Sequence, residues 1–218
     1  MRRAEVEGSG EVRFLTFSCY RRLPLLGHPG IRDRFAEQLA RVTGEGTGVE
    51  LLAWVVMPEH VHLVVRVVGV TGEVELGGAT TRSVVGEPVE RRHHAERRHH
   101  DTLCRGTQSD SGTRGNPVTG MLYGLKKPVA AEVVRRWREL DAPILGRLTT
   151  KGGRTKFWQP GGGYDRTLRS DRDVWEKIAY CHGNPVARGL CLAEREWPWS
   201  SVHAWERSPY VGPTVCSD

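Results

Sequence analysis

The chain has 218 residues, enough for one sizeable core, and its 32 Lys and Arg against 26 Asp and Glu leave a net charge of +6, a balance that suits a polyanionic partner without demanding one. Five cysteines (Cys19, Cys104, Cys181, Cys191, Cys216), odd in number and without CxxC spacing, argue for a reducing compartment and against a disulfide scaffold or a zinc ribbon. No apolar run approaches membrane-spanning length, so the expectation is a soluble, cytoplasmic protein with no membrane partner.

Residues 11–20 alternate Val12, Phe14 and Thr16 against Arg13, Leu15 and Phe17, which predicts a first strand. Ile31, Phe35, Leu39 and Val42 then recur at helical spacing over 30–43. Residues 49–56 form an apolar strand, and Pro58 favours a tight turn before the next one, so the two strands should pair as an antiparallel hairpin. The second of them carries His60 and His62. Side chains two apart on a strand share a face, so the two imidazoles should stand side by side while Val61, Leu63, Val65 and Val67 turn towards a core. Paired imidazoles are a candidate bidentate metal site.

Over 69–117 the apolar pattern dissolves into Gly, Thr, Arg and His, including RRHHAERRHH. So long a stretch without a core pattern reads as a mobile insertion, and its four histidines, His93, His94, His99 and His100, read as part of a solvated charge run. Order resumes with the helical stripe Leu122, Leu125, Val129, Val133 and Trp137, which Pro128 should kink or restart. Residues 156–158 and 164–168 are short strand candidates around the Gly161-Gly162-Gly163 turn. A last helix is expected over 171–183, with Ser170 as its N-cap and Pro185 as its stop. Strand–helix–strand–strand–helix–strand is the order of a ferredoxin-like antiparallel sheet with packed helices, an α+β fold. The expected domain is 1–68 joined to 118–205, with 206–218 as a tail.

On the last helix Val174, Ile178 and Cys181 should face the core, while Tyr180 and Asn184, four apart, share a neighbouring face beside Lys177. A phenol and a carboxamide one turn apart suit a nucleophile and a neutral oxygen ligand, and equally a half-buried Tyr next to an Asn-Pro helix end. The basic excess is concentrated late in the chain, with sixteen basic against eleven acidic side chains in 118–218. Interleaved there are Trp158, Tyr164, Trp197 and Trp199, a composition that suits single-stranded nucleic acid.

Four segments occur in order: WVVMPEHVHLVV (54–65), FWQPGGGYDRTLRS (157–170), IAYCHGNPVARGL (178–190) and EWPWSS (196–201). Together they resemble the REP-associated tyrosine transposases within the single-tyrosine HUH transposase family, over roughly 11–68 and 119–205. The resemblance implies that His60 and His62 bind a catalytic divalent metal, Mg2+ or Mn2+, with Asn184 completing the site. It also implies that Tyr180 is a nucleophile that attacks single-stranded DNA and forms a 5′-phosphotyrosine linkage, assisted by Lys177. The implied substrate is a DNA strand with hairpin or palindromic repeats. The DNA surface expected beside that chemistry comprises Arg166, Arg169, Arg172, Arg188, Trp158, Trp197 and Trp199, although Trp197 and Trp199 serve equally well as a staple for the C-terminal segment. The long 69–117 segment and the glycine run depart from the family pattern and bear on substrate recognition more than on chemistry. A histidine-triad hydrolase would need a third alternating histidine where this chain has Val64. A catalytically inactive, domesticated nucleic-acid-binding protein is the alternative, and both a monomer and a homodimer are compatible with the sequence.

Overall fold

β1 (Glu11–Ser18) is the strand around which the rest assembles, in a computed structural model that describes residues 10–68, 116–161 and 163–206. It is followed by α1 (Pro29–Val42), β2 (Val49–Val56), β3 (His60–Val67), α2 (Pro117–Glu139), the short α3 (Ile144–Leu148), β4 (Tyr164–Leu168), α4 (Asp171–Ala187) and a final turn, α5 (Val202–Glu206). The strands make one antiparallel sheet in the order β2-β3-β1-β4, the order of the expected ferredoxin-like α+β architecture.

Period-two alternation divides the sheet residues between two cores. Leu15, Phe17, Val61, Leu63 and Val65 pack with Phe35 and Leu39 of α1 and with Leu125, Val129 and Val133 of α2. On the other face Val12, Phe14, Val55 and Val64 pack with Val174, Ile178 and Cys181 of α4. The sheet is therefore covered on both sides, and every residue from His60 to Arg66 is buried. The apolar stripe of α4 closes over the histidine face.

Two prolines act differently from their sequence reading. α2 runs unbroken through Pro128 and α4 continues through Pro185 to Ala187. In α2 the flanking Leu125 and Val129 are fully buried on one face, and that burial offsets the cost of an interior proline, about 3 kcal/mol. In α4 the proline falls in the last turn, where Arg188 N–H bonds Asn184 C=O and Leu190 N–H bonds Pro185 C=O, so the chain closes with its own bonds. Residues 156–158 form no ladder strand; Trp158 makes only an isolated bridge with Cys19. The 69–117 insertion and its histidines lie outside the described residues, except that Asn116 caps and Pro117 opens α2. The 206–218 tail likewise lies outside them beyond Glu206.

The free edge of β2 is capped by the segment after the Trp-Pro-Trp turn. Val56 N–H donates to Trp199 C=O at 2.9 Å and Ser201 N–H to Trp54 C=O at 2.9 Å, with Ser200 bridging Val55. Trp197 is buried and its indole N–H donates to Val56 C=O at 3.1 Å. Trp199 bonds Asp33 Oδ1 at 2.7 Å, and the Arg32 guanidinium lies 3.8 Å from its ring centroid. The Trp197 indole thus ties the C-terminal segment to the sheet and the Trp199 indole ties it to α1, the stapling role. Trp197→Ala is expected to cost about 3–5 kcal/mol of stability, measured by chemical denaturation. An unchanged midpoint with weakened DNA binding would return Trp197 to the DNA surface.

Candidate metal and nucleophile site

β3 brings His60 and His62 to the α4 side of the sheet, and both are buried, 3% and 5% exposed. Their Nε2 atoms converge to 2.9 Å. Adjacent corners of an octahedral ion with bonds of about 2.1 Å lie about 3 Å apart, so this spacing suits two neighbouring ligands of one cation. Burial, with the charge of His60 second, pushes the His62 imidazole down to about 3. Burial also lowers that of His60, outweighing the opposing pull of Glu59. Both rings are therefore neutral near pH 7, the form that binds metals.

The outer nitrogens are held by two residues that the motif reading did not name. Glu59 Oε1 lies 3.1 Å from His60 Nδ1 and is itself held by Arg188 at 2.7 Å. Thr16 Oγ1 lies 2.7 Å from His62 Nδ1, across the β1–β3 pairing that sets Thr16 opposite His62. A carboxylate on Nδ1 fixes the proton there and leaves the Nε2 lone pair of His60 facing inward. A hydroxyl can donate or accept, so Thr16 supports His62 whether or not its Nε2 carries a proton. Glu59 has a sequence signal in its position beside His60, whereas Thr16 is visible only once the strand register is known.

Asn184 is 7% exposed; its Nδ2 lies 3.4 Å from His62 Nε2, and its Oδ1 is buried without a hydrogen-bond partner. An amide turns end for end with no change of shape, and the turn would aim Oδ1 at the two imidazoles. A buried amide oxygen beside two converging imidazole nitrogens, which can both be bare once a metal displaces the proton between them, fits a divalent cation. Among the described residues no three of His, Cys, Asp or Glu form a metal cluster; a third donor beside the two imidazoles would have to be the amide.

Tyr180 stands at the mouth of this site, 47% exposed, with its ring centroid 5.1 Å from that of His62 and 5.9 Å from Phe14. Phe14 stacks on His62 at 5.5 Å, so one aromatic supports both rings. Lys177 Nζ sits 5.4 Å from the Tyr180 ring centroid and 5.3 Å from that of Phe14, placing its positive charge over the phenol face. Tyr164 flanks the same Phe14 at 6.0 Å from the β4 side. The structure thus brings His60, His62, Asn184, Tyr180 and Lys177 together.

The expected DNA surface is more dispersed. Arg188 is engaged with Glu59, Arg172 with Glu176 at 3.0 Å, and Arg166 is 4.0 Å from Asp173, while Arg169 is exposed just before α4. Exposed pairs of this kind are weak enough to yield to a phosphate. Trp158 lies on the opposite sheet face, its indole N–H bonded to Lys126 C=O at 2.8 Å.

If Glu59 and Thr16 orient the two rings, Glu59→Ala and Thr16→Val should each weaken Mn2+ binding about 10–100-fold, with Thr16→Ser close to the parent. Calorimetric titration of Mn2+ into the DNA-free protein checks this; parental affinity in both variants would remove them from the site.

No protein-family model matches the chain, and no curated protein does. Among solved structures it is similar to a REP-associated tyrosine transposase bound to a REP hairpin, at 17% identity and a TM-score of 0.51, over 94% of this chain and 84% of that one. A protein from Deinococcus radiodurans R1 described as a transposase matches at 14% identity over 81% of this chain and 92% of that one, and its TM-score of 0.38 carries no weight here. At these identities the likeness speaks of architecture alone: the chain has the fold of a REP-associated tyrosine transposase.

Proposed function

We propose that the chain is a metal-dependent nicking and joining enzyme for single-stranded DNA, a single-tyrosine HUH transposase acting on hairpin-containing strands. The observation that carries the reading is the pair of imidazole Nε2 atoms at 2.9 Å, beside the partnerless Asn184 Oδ1 and one ring away from the exposed Tyr180. The REP hairpin bound to the structural relative supports the substrate class. Residues 1–68 and 118–205 together form the catalytic domain in this reading.

His60, His62 and Asn184 would hold Mg2+ or Mn2+, with the imidazoles favouring Mn2+. Bound there, the ion would withdraw charge from the oxygens of the scissile phosphate. Glu59 and Thr16 keep the imidazoles oriented. Tyr180 supplies the nucleophile: its phenolic oxygen bonds to phosphorus and the bond from phosphorus to the 3′ oxygen breaks. The phenol gives up its proton and the departing 3′ oxygen takes one, leaving a 5′-phosphotyrosine and a free 3′-hydroxyl. The linkage keeps the phosphodiester's energy, so transfer to another 3′-hydroxyl reverses the step without ATP. Lys177 places positive charge where negative charge gathers on the phenol and phosphate.

Incubating the protein with labelled hairpin-bearing single strands and Mn2+ tests the proposal. A denaturation-resistant protein–DNA adduct that chelator prevents is the expected result. Hairpin binding with no adduct would instead identify a binding protein of the same fold.

A further inference from the structure

The sheet face opposite the histidines carries a cleft of about 560 Å3 between α2 and the β1–β4 edge. Its volume is within the roughly 300–1,000 Å3 of small-ligand sites. One wall is α2, which presents Leu122, Tyr123, Lys126 and Lys127; the other includes Trp158 and the Arg13–Asp165 ion pair. Tyr123 is 63% exposed, with its hydroxyl bonded by Lys127 Nζ at 2.6 Å. Lys126 Nζ lies 5.8 Å from the Trp158 ring centroid and 5.0 Å from that of Phe17. Burial lowers the Lys126 ammonium from its ordinary range, as expected of a cation set among rings. The single carboxylate of the cleft, Asp165, is matched by Arg13 at 2.6 Å, so the two lysines are its uncompensated charge among the described residues.

Stacking faces beside lysines suit a base with its phosphate. We infer that this cleft binds an unpaired nucleotide of a single-stranded nucleic acid, with the base against Tyr123 and Trp158 and the phosphates beside Lys126 and Lys127. The chain places this cleft one residue from the other face. Gly163 lines the cleft, while the next residue, Tyr164, packs against Phe14 on the histidine side. Gly163 has φ of +78°, and a Cβ there would collide with the Thr16 carbonyl oxygen, so glycine is required to hold β4 close against the strand that supports His62. β4 is an edge strand, exposed from Tyr164 to Thr167. A DNA strand passing over that edge would occupy the cleft and then reach Tyr180. This path rests on the function proposed above; binding in the cleft does not.

The test uses the full chain without divalent metal, so that it reads binding apart from any chemistry at Tyr180. The probes are a short oligothymidylate carrying one 2-aminopurine and an abasic strand of equal length. Tyr123→Ala should weaken binding of the first about tenfold, within the 5- to 150-fold range of one lost base stack, and leave the abasic strand unaffected; Tyr123→Phe should restore the parental value. Lys127→Ala should reduce the slope of log affinity against log salt by about 0.7, one phosphate contact on a single strand. Parental affinity and slope in both alanine variants, or equal loss on the abasic strand after Tyr123→Ala, would overturn the inference. Adduct formation by the parent, measured separately with Mn2+, shows whether the catalytic reading stands.

Discussion

Tyr180→Phe is expected to eliminate the covalent DNA adduct while leaving hairpin affinity within about twofold. The substitution removes one oxygen from a side chain 47% exposed, whose ring rests on Phe14 and His62 in contacts a phenylalanine can keep. No stability loss beyond about 0.5 kcal/mol is expected for a surface change of this kind. Tyr164 is the competing phenol, since it touches the same Phe14 and is equally open to solvent. It belongs to an edge strand that begins directly after Gly163, whereas Tyr180 lies on a capped helix one turn from Asn184. A nucleophile must be held within a few tenths of an ångström of line, and the helix holds phenol and amide on one rigid element. Tyr164→Phe should therefore retain the adduct.

Replacing His60 or His62 by alanine should bring metal-dependent cleavage down to the uncatalysed background. In the proposed site the two Nε2 atoms hold the ion together, so a single loss would leave one imidazole and an amide, too few donors to hold it. Hairpin binding should persist, because both rings are buried and present almost no surface of their own to a strand. His60→Ala also strips Glu59 of its imidazole partner, though Arg188 still engages the carboxylate, so a stability loss of about 1–3 kcal/mol is expected. Strand cleavage by the double variant with Mn2+, in a preparation whose melting shows a folded protein, would sink the metal assignment.

The site was legible where a short period fixes geometry. The alternation in β3 placed both histidines on one face, and the spacing of four placed Tyr180 and Asn184 together on a face of α4 beside its core stripe. What escaped the sequence depends on distant partners. Thr16 reaches His62 only because β1 pairs with β3 in one register, and no local pattern around residue 16 announces it. The two indoles of the Trp-Pro-Trp turn have the composition of a stacking platform, but the exposed edge of β2 needs covering, and that need draws them into the fold. The prolines misled for a related reason: propensity is local, whereas α2 and α4 are held by buried faces. The Arg188 guanidinium, expected on DNA, also engages Glu59, a pairing between residues 129 apart in sequence.

One particular phenol, Tyr180 beside the His60 and His62 imidazoles, is expected to become joined to DNA. Mass spectrometry of the adduct, trapped with Mn2+ on a hairpin-bearing single strand and digested to peptides, tests it most directly. A nucleotide on the peptide containing Tyr180, absent from the His60→Ala and His62→Ala proteins, is the result expected. A nucleotide on the peptide containing Tyr164, with Tyr180 unmodified, would contradict the account.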